Sequence, residues 1–340
     1  MPQDIAQNRR FAAGSGGQAG KPKRKAAGIS WLAPACVQLR RRLYGKSRAE
    51  AIAALRRGSA LWYNSRALNL HSISEIREWC ISNGFHPNRT LGQNFLADAN
   101  TLAGIVRDAG VKPGERILEI GPGLGSLTSA LLEAGASVFA VEKDRFLAES
   151  LPARFPGAPL ETVCADALRM AEEGKLDGFG KCVSNLPYSS GTRILLELAA
   201  RPQPPQEFTV LVQTEVAERL AAGPGSKTRG FAGVRLQLDY GVSIVREVAA
   251  TCFWPKPAVG SSVAKIVRKA APPALDGEER NTYFKIAKTA FSHRRKQMRT
   301  IFKGFTESSA RPEDLSVEDW MDLARKIARE RIAAGKEDCK

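Results

Sequence analysis

The run Asn185-Leu186-Pro187-Tyr188 brings together a carboxamide, backbone carbonyls beside a proline, and an aromatic face. A carboxamide oxygen and a carbonyl oxygen can accept the two hydrogens of one exocyclic amine, while a neighbouring aromatic face stacks on the ring that bears it. Pro187 has no N–H to give to a central ladder, so a strand through Cys182-Val183-Ser184 ends here and leaves the four residues as a lip. Open α/β sheets bind ligands at the carboxyl ends of their strands. The same residues also make an ordinary strand-to-helix turn, in which Asn and Pro are common. The motif alone does not separate the two readings.

The preceding elements favour chemistry. Arg116 to Ile120 reads as a strand that enters Gly121-Pro122-Gly123-Leu124-Gly125 and then a helix with Leu127, Leu131 and Ala134 on one side. Alternate glycines let the backbone pass close to a ligand. The spacing is G-x-G-x-G, not the G-x-G-x-x-G of a dinucleotide fingerprint. A second strand, Ser137 to Val141, ends at Glu142, an acid placed to accept both hydroxyls of a ribose. Asp144 reads as the N-cap of a helix beginning at Arg145. A third strand, Thr162 to Cys164, ends beside Asp166, which either caps the next helix or accepts an adenine amino group. Gly121 and Gly123, Glu142, Asp166 and Asn185 thus close four successive strands separated by helical patterns. Such alternation predicts a parallel sheet with right-handed crossovers, so all four ends share one rim. Their convergence points to a nucleoside-bearing cofactor with a reactive site beside it.

Around this unit, Ser72-Ile73-Ser74-Glu75 has the form of a capping box, with Ile73, Ile76 and Cys80 on one helix face and Gly84 as the stop. A polar loop, Arg89 to Leu96, precedes a helix with Leu102, Ile105, Val106 and Ala109 inward and Gly110 at its end. Phe208 to Val212 is a fifth strand and Gln213 to Ala222 a helix. Two further strands span Val242 to Val248 and Ser262 to Val267. Between them Phe253-Trp254-Pro255-Lys256-Pro257-Ala258-Val259 is held extended by its prolines. Phe253 there either covers the second face of a substrate base or packs inside. Residues 270–279 read as a linker, and from Asn281 the chain reads as helical to its end. The first of those helices is expected to carry His293, Arg294, Arg295, Lys296 and Arg299 as a basic stripe suited to phosphates, or simply as a solvated face.

The chain has 340 residues and 43% hydrophobic content, enough for two domains with ordinary cores. Its charge is uneven. Residues 1–71 hold 14 Lys or Arg against two acids, and the remainder 37 against 33. A basic arm suits a polyanion, and nucleic acid fits better than a membrane because no amphipathic or lipidation signal accompanies it. The stretch 1–71 reads as a basic, disordered extension. An RNA-contacting arm or an over-called start ranks above an organelle transit peptide, which the Arg-rich, acid-poor composition also fits. The six cysteines form no C-x-x-C, so neither a metal site nor a disulfide frame is expected. No apolar run of 18 residues is present, and a cytoplasmic protein is expected.

With these residues in place, the chain resembles the KsgA/RsmA-type ribosomal RNA adenine dimethyltransferases. The matching motifs are Leu91-Gly92-Gln93-Asn94-Phe95-Leu96, Glu119-Ile120-Gly121-Pro122-Gly123-Leu124-Gly125, Asn185-Leu186-Pro187-Tyr188, Gln213-Thr214-Glu215-Val216-Ala217-Glu218-Arg219, Phe253-x-Pro255-x-Pro257-x-Val259 and Phe291-Ser292-His293-Arg294-Arg295-Lys296. They span about residues 72–340, and 1–71 departs from the pattern. The resemblance implies an α/β, Rossmann-like methyltransferase domain over 72–270, with a mixed, mostly parallel seven-stranded sheet. It implies a small helical RNA-binding domain over 271–340. It implies S-adenosylmethionine as cofactor, contacted by Asn94, Leu96, Gly121, Gly123, Glu142, Asp166 and Asn185. The implied reaction is N6 dimethylation of two adjacent adenosines near the 3′ end of small-subunit rRNA, by a monomer acting on a pre-30S particle. Asn185, Leu186, Pro187 and Tyr188 would carry it, Tyr188 and Phe253 would hold the base, and Arg294, Arg295 and Lys296 would meet RNA. The rivals are a large-subunit, resistance-type adenine dimethyltransferase and a non-catalytic assembly or transcription factor on the same fold. A nicotinamide dehydrogenase fits worst, because the glycine spacing is wrong.

Overall fold

The computed structural model describes residues 69–88 and 90–337, with side chains through Arg331. The basic tail, including its Lys21–Lys25 run and the segment Ser47 to Arg57, lies outside the described residues, as does Arg89.

Helix α1 (Ile73–Ser82) starts at Ser72, whose hydroxyl accepts the Glu75 N–H at 3.3 Å. The Glu75 carboxylate turns instead to the Asn69 N–H, 3.1 Å away, so only half of the expected capping box forms. Ile76 and Cys80 are buried against Phe95 and Leu124. Removing an isoleucine side chain of this kind from water contributes roughly 1.5–3 kcal/mol, which docks the helix on the glycine loop. Strand β1 (Phe95–Leu96) and helix α2 (Ala99–Ala109) follow, the helix capped by Asp98 and closed at Gly110.

The central unit is β2 (Arg116–Ile120), α3 (Ser126–Glu133), β3 (Ser137–Glu142), α4 (Arg145–Arg154), β4 (Leu160–Cys164), α5 (Ala167–Glu172), β5 (Lys181–Asn185), α6 (Gly191–Ala199) and β6 (Glu207–Gln213). Each strand hands over to a helix that returns across a sheet face, so these five strands are parallel. Helices α7 (Thr214–Ala221) and α8 (Phe231–Gln237) precede β7 (Tyr240–Val248), β8 (Phe253–Trp254) and β9 (Ser261–Arg268). The seven-stranded order is β4-β3-β2-β5-β6-β9-β7, with β9 antiparallel to both its neighbours. Strand order therefore reverses between β2 and β5, the crevice where open sheets bind ligands.

Alternate residues of the central strands supply two cores. Leu118, Ile120, Val141 and Cys182 pack with α6 and α7 on one face, while Ile117, Val138, Ala140 and Val183 pack with α2 and α3 on the other. Both faces are covered, which is why β3 reads as a continuous apolar run from Val138 to Val141.

Two expectations are corrected, and one helix was not expected at all. Phe95-Leu96 and Phe253-Trp254, both expected in loops, pair as a separate antiparallel ribbon. Helix α8 gave no sequence signal that was recognised. The C-terminal segment is not one helical run from Asn281. Helix α9 (Gly277–Ser292) begins earlier, inside the expected linker, at a full capping box between Asp276 and Glu279. It stops at Ser292, where the Ser292 hydroxyl and His293 Nδ1 both bond the Thr289 carbonyl and compete with the helical ladder. A single turn, α10 (Met298–Ile301), and a loop precede α11 (Val317–Glu337). Tyr283, Met298, Trp320 and Ile327 form the apolar cluster of these helices, shared with Val234 and Leu238 at the end of the sheet unit.

Candidate active site

The β2–β5 ladder pairs Ile117 with Lys181 and Leu118 with Cys182 and then opens. Beyond that point the Ile120 N–H is taken by the buried Ser184 hydroxyl, 2.9 Å away. A side chain thus replaces a ladder carbonyl and lets the strand ends part without orphaning a backbone donor. The opening is the floor of a cavity of about 400 Å³, lined by Asn94, Leu96, Gly121, Glu142, Asp166 and Asn185 among others. This volume lies in the usual range for small-molecule sites.

All of the expected cofactor-side residues meet at this cavity. A Cβ on Gly121 would lie 3.6 Å from Pro187 Cδ and 3.9 Å from the Asn185 carbonyl, so the glycine loop and the Asn185 lip share one edge. Gly123 has φ 59°, and a Cβ there would meet the Phe95 ring at 3.0 Å. Its N–H donates to Glu142 Oε2 at 3.1 Å, and the Asp144 N–H donates to Oε1 at 2.8 Å. A carboxylate offers about four acceptor positions, so capacity is left for a ligand beside these backbone donors. Burial raises the Glu142 pKa, and the backbone N–H donors hold it back.

Asp144 caps α4 through the Phe146 and Leu147 N–H groups, as its position predicts. Asp166 is both cap and rim. Its Oδ1 accepts from Leu168 N at 2.9 Å, while Oδ2 takes Lys143 Nζ at 2.8 Å. The bond from Lys143 holds its carboxyl below the usual range.

The Asn185 lip is only partly a lip. Leu186 is 2% exposed and belongs to the core, and its N–H still donates to the Leu211 carbonyl at 3.1 Å. The Pro187 carbonyl accepts from Ser190 N and Gly191 N, which starts α6. Among the described residues no hydrogen bond reaches the Leu186 carbonyl, so of the two carbonyls it is the one open to a ligand. Asn185 Nδ2 donates to the Asn94 carbonyl at 3.1 Å. A carbonyl can only be met by the nitrogen end, so this bond fixes the flip of the carboxamide and leaves Oδ1 as the free acceptor. Gly92, at φ 69°, makes the approach possible: a Cβ there would stand 2.9 Å from Tyr188 N.

Tyr188 does not itself line the cavity, although its neighbours Pro187 and Ser189 do, and its hydroxyl is 2.5 Å from Ser261 Oγ. Phe253 is not brought to the cavity. It is 2% exposed and packs with Leu96 and Val248, because β8 turns that ring into the core. The C-terminal cations are not a helical stripe. They follow the end of α9, where Arg294 donates to the Lys227 carbonyl and pairs with Glu313 at 3.5 Å, while Arg295 and Lys296 are exposed.

Two residues of the site escaped sequence reasoning. Ser184 looked like ordinary strand filler. Glu119 was visible only as part of the glycine motif, yet it lines the cavity, is 1% exposed and accepts from Thr128 Oγ1 at 2.7 Å. Burial pushes its pKa up to about 8. An acid inside an apolar strand was the available signal.

A Rossmann-like sheet with a glycine loop, an acid ending the next strand and an amide at the switch point defines a methyltransferase fold. Two solved structures share it: a dimethyladenosine transferase from Plasmodium falciparum (TM-score 0.61, 22% identity, 69% of this chain and 97% of that one) and the 23S rRNA methyltransferase ErmE (TM-score 0.54, 24% identity, 68% and 98%). The sequence model for ribosomal RNA adenine dimethylases matches residues 84–329. Proteins named ribosomal RNA small subunit methyltransferase A are similar over most of the chain. The one from Protochlamydia amoebophila is 38% identical over 76% of this chain and 97% of its own length, and that from Leifsonia xyli 44% over 68% and 84%. The chain belongs to the ribosomal RNA adenine dimethylase family.

Proposed function

We propose that this protein transfers methyl groups from S-adenosylmethionine to N6 of two adjacent adenosines near the 3′ end of small-subunit rRNA. The observation that carries the reading is the Asn94–Asn185 bond, which presents Oδ1 beside the open Leu186 carbonyl at the edge shared with Gly121. When bound, S-adenosylmethionine supplies an electrophilic methyl on a sulfonium. Gly121, Gly123, Glu142 and Asp166, with Asn94 and Leu96, are the residues that would hold it. The buried Glu142 carboxylate, with acceptor capacity to spare, fits a ribose.

The adenine amino group is a weak nucleophile, because its lone pair is delocalised into the ring. Accepting its two hydrogens at Asn185 Oδ1 and the Leu186 carbonyl favours a pyramidal nitrogen and aims the lone pair at the cavity. That is positioning and electrostatic preorganisation rather than general-base catalysis. Tyr188 supplies the stacking face, and the proton leaves to water after transfer. Phe253 backs the site from within the core.

RNA is met by the C-terminal helical unit, residues 271–340, through Arg295 and Lys296, with Arg294 bracing the turn. The protein acts as a monomer in the cytoplasm on a pre-30S particle. Among the described residues no helix is long and apolar enough to cross a membrane. Incubation of separated ribosomal subunits with protein and tritiated S-adenosylmethionine, followed by mass mapping of the rRNA, tests the proposal. Label on two adjacent small-subunit adenosines is expected. Label on the large subunit, or none, would overturn it.

A further inference from the structure

Tyr188 is held from outside the cavity. Its hydroxyl and the Ser261 hydroxyl lie 2.5 Å apart, although 73 positions separate them in the chain. Ser261 is 1% exposed and opens β9, the strand flanked by both β6 and β7, where it pairs in register with Gln213 on one side and Val248 on the other. Next to it, Ser262 Oγ is 3.0 Å from Thr214 Oγ1, and the Thr214 N–H donates to the Gly260 carbonyl at 3.0 Å. The backbone that carries the serine is therefore held from both sides. On the other flank the Gly92 backbone closes on Tyr188 N. The tyrosine is confined at both ends: its backbone by the close approach of the loop that carries Asn94, its phenol by a sheet strand that contributes nothing to the cavity lining.

We infer that Ser261 is a positioning residue for methyl transfer, fixing the Tyr188 ring so that the stacked adenine presents N6 to Asn185 and the Leu186 carbonyl. The inference rests on the function proposed above. A phenyl ring is anchored only at Cβ, whereas a bond at the para oxygen also pins the far end of the axis through the ring, so χ1 and the place of the ring over the base are fixed. The hydroxyl then orients rather than transferring protons. Burial raises the Tyr188 pKa above its ordinary value, so the phenol stays neutral and serves as a tether. Productive geometry tolerates only about 0.5 Å of play, which is why a bond one residue removed from the reacting atoms matters for rate.

The test is a double-mutant cycle on the full chain with Y188F, S261A and the pair. Methylation of small-subunit particles is followed under single turnover, and S-adenosylmethionine affinity by calorimetry. Y188F keeps the ring and removes the tether, and S261A removes the same bond from its other end. Each is expected to lower the transfer rate about tenfold, the weight of one lost hydrogen bond, with cofactor affinity unchanged. The pair is expected to be no slower than either single variant, because there is one bond to lose. Unchanged rates, or losses that multiply, overturn the inference. So does a Y188F loss well beyond that of S261A, which would give the phenol a direct role. Should S261A fail to fold, Y188F alone decides: a loss of about tenfold with intact cofactor binding supports the tether, and a wild-type rate or a far larger loss overturns it. Absence of adenine methylation by the wild-type protein would instead refute the proposed function, so the two failures are distinct.

Discussion

The carboxamide nitrogen of Asn185 donates to the backbone carbonyl of Asn94 across 91 positions of chain, at 3.1 Å. This bond decides which end of the amide faces a ligand. It also ties the first loop of the sheet unit to the strand end at the switch point.

Removing the amide tests the acceptor role. Asn185→Ala is expected to cut methyl transfer by about 100-fold or more, the scale seen when one preorganised polar group is lost. Cofactor affinity should change far less. Asn185→Asp keeps an oxygen but sets a carboxylate against the Asn94 carbonyl, so a comparable loss is expected. Rapid-quench methylation with calorimetric cofactor titration reads both. Full activity in either variant would contradict the scheme.

Gly92→Ala probes the approach of the two loops. The new Cβ would stand 2.9 Å from Tyr188 N at a φ of 69°. A cost of about 1–3 kcal/mol in stability is expected, together with slower transfer, because the Asn94 carbonyl must move with the loop. Denaturant unfolding and single-turnover rates measure the two effects. A stable variant of normal rate would show that the contact is not tight.

Glu142→Ala should act on the cofactor rather than on the RNA. It leaves the N–H groups of Gly123 and Asp144 without their acceptor and removes the proposed ribose partner. Cofactor affinity is expected to weaken by roughly 10- to 100-fold, the size of one or two charge-assisted hydrogen bonds. Unchanged affinity by calorimetry would remove Glu142 from the ribose site.

Glu119 sets a pH dependence of stability. Its folded pKa of about 8 lies above the ordinary carboxylate value of 4.5. Between these values the folded chain keeps a proton that the unfolded chain has lost. Stability conferred at this position is thus largest at low pH and falls as pH rises through the window, with a slope of up to about 1.4 kcal/mol per pH unit. Glu119→Gln, which retains an oxygen to accept from Thr128, should flatten that slope. Urea unfolding of the cofactor-free protein at pH 5.5, 6.5 and 7.5 measures it. An identical slope in both proteins would mean that Glu119 is ionised when folded.

Much of this molecule was legible before any coordinates. Apolar alternation and glycine or proline punctuation are local signals, so Arg116–Ile120 and Gly110 as a stop fell where expected. Right-handed crossovers then forced Gly121, Glu142, Asp166 and Asn185 onto one rim. The helix break at Ser292 and the Phe95–Trp254 ribbon were not legible. One depends on side chains bonding back to Thr289, the other on two-residue segments with no periodicity to read.

The sequence by itself determined the strands and helices of the central sheet unit, the hand of their connections and the set of chemical groups at the strand ends. Only the tertiary structure decided how those groups are used. It spent the Pro187 carbonyl on α6, left the Leu186 carbonyl open, turned Phe253 inward and set Ser184 in the parting of two strands. The Ser184–Ile120 bond and the packing of Phe253 on Leu96 join residues far apart in the chain, and the use of the two carbonyls follows from where α6 starts against the sheet; no short window of sequence carries the packing or the need to satisfy every buried polar group.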